Sequence, residues 1–319
     1  MTTRAYQQVD VFTDTAFLGN PLAVVLDGEG LSDAQMQAFA AWTQLSETTF
    51  VLPPTPQGAA GGADYRVRIF TPGAELPFAG HPTLGTAHAW RQAGGQPRQA
   101  GQLVQECGVG LVTLKLMGTR WAFAAPPLAR QNISAEELAP VLAALGLDAS
   151  EVIAAQHLNN GPHWLGLLVN GVDTVLALAP DHAALKKLGT KVGVAARRHA
   201  PADAAGLGLI RRANREARAF APSTAPSAAS SARMADDPTD LEVRAFAAPV
   251  GVAEDPVTGS LNASLAQWLI QDGHMPARYS ARQGTVLGRA GQVFLSQDEQ
   301  GQVWVGGDVV GCIQGVVTL

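Results

Sequence analysis

Two stretches of this chain read as copies of one another, and a chain that carries one strand–loop–helix unit twice is constrained to fold as two related halves. The first copy is Val67-Arg68-Ile69-Phe70, followed after a short gap by His81-Pro82-Thr83-Leu84-Gly85-Thr86-Ala87-His88-Ala89. The second is Val243-Arg244-Ala245-Phe246, followed by Asp255-Pro256-Val257-Thr258-Gly259-Ser260-Leu261-Asn262-Ala263. Both fit V-R-x-F, then an ionisable residue, Pro, two variable positions, Gly, and Thr or Ser, with a gap that differs by two residues between the copies. In this alignment His81 answers Asp255, and the two helices begin at Gly85-Thr86 and Gly259-Ser260. The repeat predicts two similar domains about a pseudo-two-fold axis, with the paired loops facing each other across one cleft.

The length of 319 residues suits two domains better than one, because single cores stop growing near roughly 250–300 residues. Apolar alternation and turn residues predict strands at Val9–Phe12, Leu22–Leu26, Thr48–Leu52, Tyr65–Phe70, Leu103–Cys107, Leu111–Leu116 and Trp121–Ala124. Ser32 caps a helix over Asp33–Gln44, with Met36, Phe39, Ala40 and Trp42 as its apolar contacts. Gln57–Ala63 reads as a loop, and Pro126-Pro127 as a linker. The second half then offers helices at Ala135–Leu145, Asp181–Lys187 and about Ser260–Asp272, and strands at Trp164–Val169, Val303–Val305 and Gly315–Leu319. Phe220–Asp240, rich in Ala, Ser and Pro, reads as an exposed mobile loop or insertion. This order defines an α+β class with mostly antiparallel sheet.

Charge and motifs narrow the function. Only 15% of residues are charged and the net charge is −5, so nothing in the electrostatics favours nucleic acid or a membrane surface. Two cysteines, Cys107 and Cys312, make neither a disulfide framework nor a zinc cage, and they point to a reducing compartment. The N-terminal residues lack the apolar core of a signal peptide, and no apolar run reaches the roughly 18–20 residues of a membrane span. The cytoplasm is the expected location. The chain has no Walker motif, G-x-S-x-G elbow or H-E-x-x-H, and His157 and His163 do not form a metal pair by spacing alone. No metal and no cofactor are expected.

The candidate chemistry lies in the repeated loops. A helix start leaves free N–H groups and the positive end of the macrodipole, and glycine lets a ligand approach the backbone. Two such starts at one cleft would hold an anion, most simply a substrate carboxylate. His81 and Asp255 would then stand on opposite walls, His81 able to exchange a proton near neutral pH. The plainer readings are a helix cap for Asp255 and a local loop bond for His81. Glu47 lies in Leu45-Ser46-Glu47-Thr48-Thr49, between a helix and a strand. A carboxyl in such apolar and hydroxyl surroundings has its pKa raised and suits a proton shuttle; the plainer reading is a solvated surface acid. The corresponding turn of the second half, near Thr190–Ala196, carries no acid.

Gly19-Asn20-Pro21, Leu45-Ser46-Glu47-Thr48, Phe78-Ala79-Gly80-His81-Pro82 and Glu254-Asp255-Pro256-Val257-Thr258-Gly259-Ser260 resemble the PhzF (phenazine-biosynthesis-like) family, in the same order and over nearly the whole chain. The resemblance implies the diaminopimelate epimerase and proline racemase fold: two similar domains, each a barrel-like, mostly antiparallel sheet around a central helix, with the active site between them. On that fold, residues 1–125 with 308–319 would form the domain carrying Glu47 and His81, and residues 126–307 the domain carrying Asp255 and Ser260. The resemblance implies that Glu47 carries the proton, that His81 and Asp255 join it as catalytic groups, and that Ser260, Asn20 and the backbone of Gly80 and Gly259 bind substrate. It also implies a homodimer.

Two-base racemases of this fold use a cysteine on each wall, and the matching places here are Ala79-Gly80 and Asp255. One carboxylate suits different chemistry, in which a proton is lifted from one carbon and returned to another on the same face. The expected activity is thus a cofactor-independent isomerisation of a small carboxylate, which the family's best-known member performs on a dihydro-hydroxyanthranilate. Epimerisation or dehydration on the same fold, and a non-catalytic ligand-binding or protein-interaction module, remain the alternatives.

Overall fold

The computed structural model describes residues 2–198 and 239–319; the expected insertion at Phe220–Asp240 lies outside them except for its last two positions. The first half contributes β1 (Thr3–Val11), β2 (Asn20–Val25), β3 (Thr48–Leu52), β4 (Tyr65–Phe70), β5 (Glu75–Leu76), β6 (Gln102–Cys107), β7 (Gly110–Met117) and β8 (Arg120–Ala124). The second contributes β9 (Ala129–Asn132), β10 (Val152–Asn159), β11 (His163–Val169), β12 (Val192–Arg197), β13 (Leu241–Ala247), β14 (Val252–Asp255), β15 (Arg278–Gln283), β16 (Gly291–Gln297) and β17 (Val303–Gly307). A last strand, β18 (Val309–Thr318), returns to the first half.

The pairing repeats strand for strand. In the first half β1–β2 is antiparallel, β2–β3 parallel, β3–β4 antiparallel, β4–β6 parallel, and β6–β7–β8 an antiparallel meander. In the second half β10–β11, β11–β12, β12–β13, β13–β15 and β15–β16–β17 follow the same sequence of directions. A short antiparallel arm branches from each V-R-x-F strand, β5 from β4 and β14 from β13. β18 lies beside β1, β9 lies beside β10, and β8 pairs with β17 to join the halves. The sheet is therefore one ribbon, symmetric about the β8–β17 seam. Thr48 pairs with Phe70 and Val192 with Phe246, which fixes how the halves superpose.

Each half curls around one buried helix. The outer helices are α1 (Asp33–Thr43), α2 (Pro56–Ala60), α4 (Ala135–Leu145), α5 (Val172–Ala177) and α6 (His182–Leu188); the inner ones are α3 (Gly80–Gln92) and α7 (Gly259–Gln271). α1 and α4 carry full capping boxes, Ser32 with Gln35 and Ser134 with Glu137. The inner helices are buried nearly all round, so they carry small residues where sheet presses on them. A Cβ on Gly85 would lie 2.6 Å from Leu22 Cδ2 and 2.9 Å from Val11 Cγ2. One apolar core runs through both halves, from Val9, Leu22, Leu84 and Phe123 to Leu261, Trp268 and Val293. Burying each such large side chain is worth about 1.5–3 kcal/mol.

Three expectations change. α3 begins at Gly80, so Gly85-Thr86 sits inside it: Gly85 serves close packing, and the Thr86 hydroxyl donates to Thr49 Oγ1 at 2.9 Å. Gln57–Ala63 contains the short helix α2. Trp42 is 78% exposed and stacks on Phe39 instead of joining the core, because the sheet face of α1 is already filled by Met36, Phe39 and Ala40. No helix among the described residues is long and apolar enough to cross a membrane.

Candidate active site

The repeated arginine explains how each helix start is presented. Arg68 forks onto Glu75, with Nε to Oε1 at 2.7 Å and Nη2 to Oε2 at 2.6 Å. Arg244 forks onto Glu254 in the same way, at 2.9 and 2.8 Å. Bidentate pairs fix orientation as well as distance, so each arm is held against its V-R-x-F strand and aimed at the helix that follows. The equivalent segments are thus Glu75-Leu76-Pro77-Phe78-Ala79-Gly80-His81 and Glu254-Asp255-Pro256-Val257-Thr258-Gly259-Ser260, and the loop before the glutamate is three residues longer in the second half. This register corrects the alignment read from the sequence. His81 corresponds to Ser260, and Asp255 corresponds to Leu76.

The two helix starts meet. A Cβ on Gly259 would stand 3.2 Å from Gly80 Cα and 3.3 Å from the His81 nitrogen, and a Cβ on Gly80 would strike Phe123 at 2.6 Å. Neither Ala79, at the N-cap of α3, nor Thr258, at the N-cap of α7, makes a side-chain cap bond. Two positive dipole ends that lack a side-chain cap from their own N-cap residue are therefore brought together, an arrangement that favours negative charge between them.

Glu47 stands beside this junction. Gln44, in the left-handed region at φ 56°, ends α1 and turns the chain back. A hydrogen bond between the Thr43 and Thr48 hydroxyls, 3.0 Å, pins the turn that carries Leu45-Ser46-Glu47. Glu47 Oε2 lies 3.5 Å from His81 Nδ1; the side chains are 16% and 5% exposed. Glu47 Oε2 and His81 Nε2 are both buried without a hydrogen-bond partner among the described residues. Burial pushes the Glu47 carboxyl up to about 7 from 4.5, against the lowering influence of the neighbouring Ser46 side chain. Burial also lowers His81 to about 4, against the raising effects of Asp255, a Pro21 backbone bond and Asp10. At neutral pH His81 is uncharged while Glu47 is near half-protonated.

Asp255 comes from the opposite half and is tied to the first. Asn20 Nδ2 donates to Asp255 Oδ1 at 3.0 Å and to the Val257 carbonyl at 2.9 Å, and Ser46 donates to Asn20 Oδ1 at 3.3 Å. Thr258 donates to Asp255 Oδ2 at 2.6 Å. Gln283 donates to the Asp255 carbonyl and to Thr258 Oγ1, and accepts from Asn262 at 2.8 Å. Burial, then the Glu47 charge, raises Asp255 to about 6, while the Thr258, His81 and Asn20 interactions lower it. Ser260 Oγ accepts the Trp164 indole N–H at 3.2 Å, and the Ser260 carbonyl accepts Asn160 Nδ2 at 2.9 Å.

Seven residues singled out in the sequence therefore border one junction, Glu47, His81, Gly80 and Asn20 from the first half and Asp255, Gly259 and Ser260 from the second, while Gly85-Thr86 lies inside α3. Asn262, Gln283, Asn160 and Trp164 do not stand out in the sequence. A repeated E-x-P-x-x-G would have aligned the arms correctly, but these four support the site from elsewhere in the fold and leave no local pattern. A surface depression of about 270 Å³, lined by Ile133, Glu137, Pro140, Val141, His157, Leu165, Leu188 and Thr190, shares no residue with the junction.

Fold and junction together define a two-domain, pseudo-symmetric protein of the epimerase-like kind. A family model described as Phenazine biosynthesis-like protein matches residues 9–225 and 213–315, and the chain belongs to that PhzC-PhzF family. It is 32% identical to Antisense-enhancing sequence 1 of Schizosaccharomyces pombe, with 99% of each chain covered. It is 29% identical to trans-2,3-dihydro-3-hydroxyanthranilate isomerase of Pseudomonas chlororaphis, covering 98% of this chain and 99% of that one. A crystal structure of the PhzF-family phenazine biosynthesis protein of Bacillus anthracis superposes with a TM-score of 0.77 over 100% of both chains at 20% identity, a likeness of fold. Several of its relatives are named isomerases, and the chain is a PhzF-like isomerase.

Proposed function

We propose that this isomerase moves a proton between carbons of a small carboxylate without a cofactor, and that Glu47 is its single acid/base. The observation that carries the reading is Glu47 itself: a carboxyl lifted to about 7, with one oxygen unpartnered, 3.5 Å from a neutral imidazole at the junction of two uncapped helix starts. A base poised near the working pH both accepts and returns a proton. The N–H groups at Gly80 and Gly259 take the substrate carboxylate. The ionised Glu47 removes a proton from one carbon, the electron pair moves through the adjacent double bond, and Glu47 delivers the same proton to the far carbon. Atoms and oxidation state balance. His81 and Asp255 hold the polar groups that gain charge on the way, Ser260 and Asn20 orient substrate, and Asn20 ties Asp255 in place. The absence of cysteine at Ala79 and Thr258 weighs against the two-base racemase reading.

The first probe is trans-2,3-dihydro-3-hydroxyanthranilate, for which the Pseudomonas relative is named. Glu47→Gln keeps the side-chain shape and removes the base. The expected outcome is loss of at least about 10³-fold in the rate of isomerisation and of deuterium uptake from solvent, with the thermal shift given by carboxylate ligands retained. Undiminished turnover in this variant would sink the assignment, and undiminished function in the cell with no turnover in either protein would favour a binding module.

A further inference from the structure

We infer that Asp10, on β1, is a positioning residue for this site, and that it acts through the turn Gly19-Asn20-Pro21; the inference rests on the function proposed above. Asp10 is 2% exposed. No Lys, Arg or His lies within ion-pair distance of it among the described residues. Its Oδ2 accepts the Gly19 N–H at 2.9 Å, and its Oδ1 is buried with no hydrogen-bond partner among the described residues. An uncompensated buried carboxylate is expensive, and an unsatisfied oxygen on it more so. A small apolar side chain would avoid that cost, so the acid needs a reason.

The reason lies in what the turn carries. Asp10 pairs across the ladder with Pro21. The Gly19 N–H that it holds is followed directly by Asn20, whose amide reaches across the halves to Asp255 and to the Val257 carbonyl. Pro21 follows, and its backbone bears on the His81 ring and favours the protonated form. The turn also admits no slack: a Cβ on Gly19 would sit 2.2 Å from the Val11 carbonyl oxygen. One carboxylate thus fixes a three-residue turn whose second residue holds the acid of one wall and whose third bears on the imidazole of the other. The ionisable groups that bear on His81 are Glu47 from the start of β3, Asp255 from β14 and Asp10 from β1, while Cys312 of the β18 bulge faces Asp10. Asp10 therefore also adds negative charge behind the imidazole and favours its protonated form, as carboxylates behind functional histidines do elsewhere.

The test separates the two actions. Asp10→Asn keeps an oxygen for the Gly19 N–H and removes the charge; Asp10→Ala removes both. In the isotope-labelled full chain, Asp10→Asn should leave the Asn20 side-chain amide resonances in place and shift the His81 ring signals at pH about 4.5 toward the neutral form. Asp10→Ala should speed hydrogen exchange at the Gly19 amide by about ten-fold or more and move both the Asn20 and His81 signals. On the dihydro-hydroxyanthranilate probe, Asp10→Asn should lower kcat by about ten-fold with KM changed less than two-fold. Unchanged His81 ring signals in Asp10→Asn overturn the charge effect. Unmoved Asn20 signals in Asp10→Ala overturn the positioning role, and if that variant does not fold, the His81 signals and the kcat-against-KM split of Asp10→Asn decide. Because the resonance measurements need no turnover, a parent protein inactive on the probe would count against the proposed reaction and leave the Asp10 inference to be judged on its own.

Discussion

The two halves hold their helix starts with the same parts and place different chemistry on them. In each, an arginine forks onto a glutamate, a proline follows two residues on, and a glycine opens an inner helix that has no side-chain cap. Around that common frame the residues diverge. Leu76 answers Asp255, His81 answers Ser260, and Leu22 answers Trp164. The superposition that pairs Thr48 with Val192 sets Glu47 against Lys191. The Lys191 ammonium lies 4.9 Å from the centroid of the Trp164 ring, and burial lowers its pKa. The symmetric parts thus bring an uncapped helix start from each half to one junction, whereas the position before the third strand of each half carries Glu47 on one side and Lys191 on the other. On the function proposed above, duplication would provide the binding geometry and divergence would leave Glu47 as the one base.

The strongest way to break that asymmetry is to give the second arm the first arm's residue. Asp255→Leu copies Leu76, takes from the Asn20 amide the acceptor that ties it to the second wall, leaving it only the Val257 carbonyl, and strands the Thr258 hydroxyl without its acceptor at a cost of about 1–3 kcal/mol. Turnover should fall by about 10²–10³-fold, measured as kcat on the same probe, with a lower denaturation midpoint. Turnover within a few-fold of the parent would mean that the second wall supplies only backbone.

A smaller effect sharpens the contrast between Glu47 and an ordinary acid. With its value raised to about 7 from 4.5, the folded protein holds a proton that the unfolded chain releases. Its stabilising contribution is complete below about pH 4.5 and is lost as pH rises through about 7. Asp255, raised to about 6, has the same sign at lower pH, while His81, lowered to about 4, has the opposite sign and gains stability as pH rises from about 4 to 6.5. Comparing Glu47→Gln with its parent cancels most of the last two. The variant should become more stable relative to the parent by roughly 2–3 kcal/mol between pH 4.5 and 7.5, read from urea midpoints. A difference that is flat with pH would show that Glu47 is not held near neutrality.

Much of this architecture is legible in the sequence. Thr48–Leu52, Tyr65–Phe70 and Ala135–Leu145 fall where alternation, β-branching and capping put them. Glu47, His81 and Asp255 stand out by residue type and motif. What misleads is register: His-Pro and Asp-Pro look alike as text, yet the spatial repeat is carried by Glu75 and Glu254, whose meaning depends on arginines in a neighbouring strand. Lys191 escapes notice for a related reason, since its equivalence to Glu47 rests on strand pairing that no local pattern announces. Asp10 is equally silent, because a carboxylate at the end of an alternating strand looks solvent-facing until the Gly19 turn is seen folded over it.

The smallest expected effect comes from restoring the missing symmetry at Lys191. Lys191→Glu puts carboxylates at both strand starts, and a simple count of bases would then predict racemase-like exchange at a second face. The geometry predicts otherwise. The Trp164 indole donates to Ser260 Oγ and carries the Lys191 ammonium on its ring face, so the side chain at 191 meets an aromatic ring where Glu47 meets His81. Among the described residues of the second half, Ser260 stands where His81 stands in the first, so no imidazole of that half opens its inner helix. The single variant should lose only the cation–π contact, about 0.5–1 kcal/mol of stability, keep kcat within two-fold, and incorporate deuterium on the same face of the probe as the parent. The double variant Lys191→Glu with Trp164→Leu copies both Glu47 and Leu22 into the second half. Deuterium entering the opposite face in the double variant alone would identify the tryptophan as what keeps the site one-sided, whereas its appearance in the single variant would show that the one-base reading misjudged the second wall.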